Sequence, residues 1–171
     1  MRILTKVSAV VVAFLSLNAA GASAQSANIN ATATVFQAIT VTGARDLAFG
    51  NVFPGVAKTV VVSDATSGRF DLTGQSSGNV NVSFTLPANL TSGANNLPIG
   101  TWTGCTNGTN TTTGCTSFTP SAGATASAFS GAGALFVWVG GTVSPAANQA
   151  AGAYTGVVTL MTLHTAKGLE F

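Results

Sequence analysis

The clearest pattern of apolar and polar positions runs from Ile29 to Val41. Odd positions carry Ile29, Ala31, Ala33, Val35, Gln37, Ile39 and Val41, and even positions carry Asn30, Thr32, Thr34, Phe36, Ala38 and Thr40. A period of two over this length predicts an extended strand with one buried face, broken or bulged near Gln37. Residues 43–46 read as a break, residues 47–50 as a short apolar strand, and Pro54-Gly55 as a turn. Residues 59–63 form a β-branched run, and Phe70 and Leu72 alternate after it. The stretch 74–78 has the composition of a hairpin turn. Val80, Val82, Phe84 and Leu86 then alternate up to Pro87.

Residues 89–128 are looser, rich in Gly, Thr, Asn and Ser. Beyond them Leu135, Val137 and Val139 share one face of a strand. Phe136 and Trp138 occupy its other face, which implies partial cover there or an exposed patch. Gly140-Gly141 is expected to end that strand. Tyr154, Gly156, Val158 and Leu160 keep the phase of a half-buried closing strand, with Tyr154, Val158 and Leu160 as its core. After them Thr162 and His164 hold the inward places, while Met161 and Leu163 take the other face. A phase change of one residue puts apolar groups outside and polar ones inside. No window past residue 24 has helical periodicity, and short strands at turn-bounded spacing predict an all-β sandwich or barrel.

Composition narrows the reading. The chain has 171 residues, 46% apolar and only 6% charged, where about a quarter is usual. Its surface must be wetted by hydroxyls and amides. Both excess positive charges, Arg2 and Lys6, lie at the N-terminus; from residue 25 onward four basic residues balance four acidic ones. A neutral body argues against a nucleic-acid partner, whose phosphates demand cationic surface. Arg2 and Lys6, the apolar run 7–17 and Ala22-Ser23-Ala24 form the three parts of a secretory leader. The expected organisation is a signal peptide at 1–24, a β-sandwich at 25–163 and an atypical tail at 164–171. The mature chain is expected to be exported, to the periplasm, the cell surface or beyond, with no membrane span after cleavage.

Candidate chemistry is sparse. Cys105 and Cys115 are the only cysteines, and in an exported chain they are expected to close a Gly/Thr/Asn loop as a disulfide. Gly74-Gln75-Ser76-Ser77-Gly78 matches the G-x-S-x-G elbow of hydrolases, but that motif needs a helix after it and a strand pattern follows. Gly50 and Gly55 share the spacing of a phosphate-binding loop, yet Val56 and Ala57 separate Gly55 from Lys58, where the lysine should follow at once. No catalytic residue, cofactor or metal is expected. The aromatic residues Trp102, Phe118, Phe136 and Trp138 are the candidates for a ligand face, and core packing explains them equally well.

Three segments resemble one family. Asp46-Leu47-Ala48-Phe49-Gly50 with Pro54-Gly55 looks like its L-x-F-G…P-G signature. Residues 70–87 are similar to its middle hairpin. Val139-Gly140-Gly141-Thr142 and Gly152-Ala153-Tyr154-Thr155-Gly156 look like its closing signature. The family is the bacterial domain of unknown function numbered 4402, itself similar to spore coat protein U and other fimbria-like domains, and the likeness runs from about Ala27 to Leu160. It implies an immunoglobulin-like antiparallel β-sandwich and no catalytic residues. In fimbria-like subunits an N-terminal extension of one subunit commonly fills the groove of the next. Ile29, Ala31, Ala33, Val35, Ile39 and Val41 would serve either as such a donor or as the first strand of their own sandwich.

Residues 158–171 separately resemble a short motif of UvrD/PcrA-type DNA helicases. Such an enzyme also needs a phosphate-binding loop and two large α/β domains, so the likeness reads as chance or as a fusion with no activity of its own. The leading expectation is a non-catalytic exported structural protein, a pilus-like or coat subunit or an adhesion-related module. Its partners would be copies of itself or related subunits joined by strand addition, with a periplasmic chaperone. The alternative is a carbohydrate-binding sandwich.

Overall fold

The computed structural model describes residues 25–164. The expected leader and residues 165–171 of the expected tail lie outside them. The chain divides between Thr34 and Val35 into two units. In the first, residues 25–34 belong to no strand or helix. Among the described residues the second holds ten strands, and no helix is present.

The strands form two antiparallel sheets. At the centre of the larger lies β9 (Ala134–Val143). One of its edges pairs with β3 (Gly68–Thr73) and then with β2 (Lys58–Val60). Its other edge pairs with β6 (Asn95–Asn107). Outside β3 lies β1 (Thr40–Arg45), and outside β6 lie β5 (Asn89–Ser92) and β7 (Thr116–Phe118). The smaller sheet has β4 (Asn79–Thr85) between β10 (Thr159–His164) and β8 (Thr125–Ala128). Inward residues of the two sheets meet in one core cluster, where Leu72, Leu135, Val137 and Val139 pack with Val80, Val82 and Phe84, and a second cluster joins Phe49, Val60, Leu97, Ile99 and Val143. Phe84 joins the layers most directly, edge-on to Phe70 at 6.4 Å and stacked on Phe118 at 5.7 Å. The all-β sandwich expected from the alternation is the observed fold.

Several strand boundaries differ from the expected ones, each for a physical reason. The alternation of residues 29–41 becomes strand only from Thr40, because only there does an edge, that of β3, run alongside it. Residues 47–50 are not a strand; Phe49 is buried there, and Ala48 N–H donates to the Thr66 carbonyl at 2.9 Å. The loose stretch 89–128 contains β6, the longest strand, of 13 residues. Gly140-Gly141 does not end β9. A Cβ on Gly140 would meet the Val60 carbonyl and lie 2.7 Å from Thr103 Oγ1, so glycine is what lets β2 and β6 close on both sides. The closing strand starts at Thr159 rather than near Tyr154. The turn expected at 74–78 is present, with Gly78 N–H donating to the Gln75 carbonyl at 2.9 Å. β4 follows it in the smaller sheet while β3 stays in the larger, so the expected hairpin is instead a turn that crosses between the sheets, and Ser76 is not at a strand-to-helix elbow.

On the outer face of the larger sheet, Trp138 stands between Cys105 of β6 and Arg69 of β3 and is buried. Cys105 is bonded to Cys115, with Cα atoms 5.8 Å apart. Arg69 holds Asp71 through Nε and Nη2, at 2.7 and 3.0 Å, and reaches Asn110 of the disulfide loop with Nη1 at 2.9 Å. The expected pairing of the two cysteines is therefore present, and the loop it closes lies against the aromatic face. Replacing both cysteines by serine should lower unfolding free energy in urea by about 2–3 kcal/mol while the β-sheet circular dichroism is kept. An unchanged urea midpoint would show that the loop needs no staple.

Candidate docking groove

The sandwich is open along one side. β1 is the edge of the larger sheet and β10 the edge of the smaller, and among the described residues no strand joins them. The closing segment is nonetheless paired along its opposite edge. Thr155 exchanges backbone hydrogen bonds with Thr91 of β5, at 2.8 and 3.0 Å. β10 then pairs with β4 from Thr159↔Thr85 to His164↔Val80. Its remaining edge faces the opening, where the N–H and C=O groups of a strand edge can bind another strand.

The opening is a groove of about 1130 Å³ lined beneath by Phe70, Leu97, Ile99, Val139 and Val143, the last four buried, with Leu97, Ile99 and Val143 packed against Leu47, Val52, Leu90 and Tyr154. That volume exceeds the roughly 300–1,000 Å³ of ordinary small-ligand pockets. One wall is made of residues 45–54 and the other of residues 149–158. Of the lining residues only Arg45 and Asp46 are charged. Arg45 is engaged at the rim, donating from Nε and Nη2 to the carbonyl and hydroxyl oxygens of Ser67 at 2.6 and 2.7 Å. The groove is thus an apolar trough with a nearly neutral margin.

Local chemistry fixes both walls. Lys58 Nζ donates to the Asn51 carbonyl at 3.0 Å, and Gly55 N–H donates to the Ala146 carbonyl at 3.0 Å. Gly55 has φ +72° and a Cβ there would lie 3.6 Å from the Ala147 Cα, so the turn favours a residue free to adopt the left-handed region. On the second wall Tyr154 Oη donates to the Ala150 carbonyl at 2.7 Å. Gln149 Nε2 donates to Tyr154 Oη at 2.7 Å and to the Asn96 carbonyl at 3.0 Å. Gly156 brings the wall against β5, since a Cβ would fall 2.7 Å from Leu90 Cδ2. Phe53 on one rim and Val157 on the other are left 71% and 76% exposed.

The other end of the opening is narrower. Phe36, Gln37, Ala38 and Ile39 lie there beside Thr162, around a hollow of about 340 Å³. Ile39 packs against the core from this position. Thr162 occupies an inward place opposite Val82, as the phase change of the sequence predicted, and Met161 and Leu163 are exposed.

The expected site residues fall into two groups. Ile29 and Val35 are 94% and 92% exposed, and Ala31 and Ala33 are exposed with them. Val41 is in β1 opposite Leu72. Tyr154 and Val158 are half-buried against the core and Leu160 is buried in it. Of the candidate ligand-binding aromatics, Trp102 packs between the two core clusters, Phe118 stacks on Phe84 and Trp138 is buried. These rings are engaged in packing. The contribution of Leu97 and Ile99 was not anticipated; Pro98 between them masks the alternation in sequence, although burial alternates there, with Leu97 and Ile99 buried and Pro98 exposed. Among the described residues no three His, Cys, Asp or Glu side chains gather as metal ligands, and no helix is long and apolar enough to cross a membrane.

The model of the family described as Domain of unknown function (DUF4402) matches residues 39–162. The chain belongs to this family. No curated protein matches it. The matched span begins where residue 39 enters the core and ends at Thr162, so it covers both walls and the floor of the groove. The hollow beside Thr162 gives a direct test of the inward phase. Thr162→Ile should add buried apolar surface there and raise stability by about 1 kcal/mol in urea denaturation. A loss of stability would mean that this place does not accept an apolar side chain.

Proposed function

We propose that the protein is an exported, non-catalytic structural subunit of a pilus-like or coat-like surface assembly, in which copies are joined by strand addition. The observation that carries this reading is an unmatched pair of features. An alternating segment with exposed Ile29 and Val35 belongs to no strand, and a separate apolar groove borders an unpaired strand edge. The chemistry of the two is complementary. Residues 25–39 contain no charged side chain, and the groove contains only Arg45 and Asp46. Adding a strand would satisfy backbone groups on both partners and remove apolar side chains from water.

Export is supported by the leader pattern of residues 1–24 and by the Cys105–Cys115 disulfide, a bond that persists in oxidising compartments. The destination is the periplasm, the cell surface or the medium. A periplasmic chaperone that shields the groove before assembly belongs to the same reading, because a long unpaired apolar edge invites aggregation. The partners are other copies of this chain or related subunits.

The mature protein, exported through its own leader, should form multimers visible by negative-stain electron microscopy and native mass spectrometry. Deleting residues 25–34 should give a soluble monomer with unchanged circular dichroism. Multimers that survive the deletion, or a full-length mature protein that stays monomeric at every concentration, would reject strand addition through this segment.

A further inference from the structure

We infer that Phe53 of one copy seats in the hollow beside Thr162 of the next, a ring-in-hollow contact between successive copies of this chain. It rests on the strand-addition reading and adds a second contact to it, made by the folded units themselves.

Phe53 is held out on a rigid turn. The stretch Phe53-Pro54-Gly55-Val56 closes through the Val56 N–H, which donates to the Phe53 carbonyl at 3.1 Å. Proline at the second place fixes its own φ, and Gly55 at the third has φ +72°, the left-handed value that a type II turn requires there. The turn is rooted at three points. Val52 packs against the core cluster of Phe49, Leu97, Ile99 and Val143. Lys58 Nζ donates to the Asn51 carbonyl, and Gly55 N–H to the Ala146 carbonyl. The tip nevertheless leaves Phe53 71% and Val56 58% exposed. A ring kept in water by a preorganised turn loses little conformational entropy when a partner covers it. Aromatic anchors of this kind dominate the energy of interfaces.

The hollow has complementary size and chemistry. Phe36, Gln37, Ala38, Ile39 and Thr162 surround about 340 Å³, and an apolar cavity of about 150 Å³ already accommodates a benzene ring. Gln37 and Ala38 are exposed, so the hollow is open to solvent. Residues 36–39, 52–57 and 162 carry no charge, so neither feature repels the other or must shed a charge on contact. Phe53 lies outside the hollow of its own copy, which is at the other end of the opening.

Chain continuity says which copy supplies which part. A copy that extends residues 25–34 to its neighbour stays attached to them through Val35, one residue before the hollow begins at Phe36. Its hollow is therefore carried toward the receiving copy, whose opening has Phe53 on its rim. One ring removes far less surface than the roughly 800 Å² per partner of a stable interface. The contact thus reinforces strand addition and does not replace it. Because ring and hollow are different surfaces, the contact is heterologous.

The test mixes two variants of the full mature protein, Phe53→Ser and Ala38→Asp, both at exposed positions where the circular dichroism should not change. The first removes the ring and the second sets a charge in the hollow. Each alone should raise the concentration at which native mass spectrometry detects multimers by at least about tenfold, the effect of losing one buried ring. An equal mixture, at a concentration where each alone is monomeric, should give dimers and nothing larger. Only the intact hollow of a Phe53→Ser copy meeting the intact ring of an Ala38→Asp copy restores the contact. If either variant forms multimers as readily as the unsubstituted protein, while deletion of residues 25–34 abolishes them, the contact is wrong and strand addition stands. Variants that stay monomeric in the mixture as well would overturn the pairing of these two features. An unsubstituted mature protein that remains monomeric at every concentration would reject the strand-addition reading and this contact with it.

Discussion

An unpaired backbone edge governs this structure. Each residue of a strand carries an N–H and a C=O that must find partners, and the closing segment satisfies them on one side only, through Thr91 and then through β4. On the other side the first strand of the fold has joined the opposite sheet, pairing with β3. Seven strands thus stand over three. The groove is the geometric consequence: inward side chains of the larger sheet, among them Leu97, Ile99 and Val143, extend beyond the smaller sheet and are buried instead by Leu47, Val52, Leu90 and Tyr154 of its walls.

The three segments that resemble the family's motifs all contribute to the shape of this opening. The first supplies buried Phe49 and the turn at Gly55 that anchors one wall to Ala146. The Gly140-Gly141 pair lets β9 run on between β2 and β6, which carries Val143 to the groove floor. The Tyr154 motif sets the second wall through Gln149 and through the contact of Gly156 with β5. A buried phenyl such as Phe84, whose removal would cost about 3–5 kcal/mol, holds the two sheets in register beneath them.

How much of this was legible in the residues depends on the kind of signal. The alternation of Val80, Val82 and Phe84 names β4 directly, because a half-buried strand imposes period two on its own sequence. The disulfide was equally plain, since two cysteines in a chain expected to be exported have few other fates. β6 was hidden, because Gly, Thr and Asn make a strand only when neighbours on both edges order it. For residues 29–39 the pattern stated a capacity for pairing, and tertiary structure left that capacity unused below Thr40. The groove itself could not be read from pattern at all. It is assembled from residues 45–54, 97–99 and 149–158, and their meeting depends on sheet order, which alternation does not encode.

Edge protection is the last piece of the argument. Sheets that must stay alone usually guard their edges with lysine, proline, a bulge or a covering loop. β10 has the sequence Thr-Leu-Met-Thr-Leu-His, without lysine, proline or a register shift. The segment 25–34 is likewise free of charge and proline, although its apolar residues are exposed. A chain so poor in charge has little else to prevent edge-to-edge contact, and leaving both the edge and its complement unguarded would be a hazard for a solitary domain. Under the proposed strand addition the same two features would become an asset, because a contact between the edge of one copy and the segment of the next would be heterologous rather than the isologous contact of a two-fold dimer.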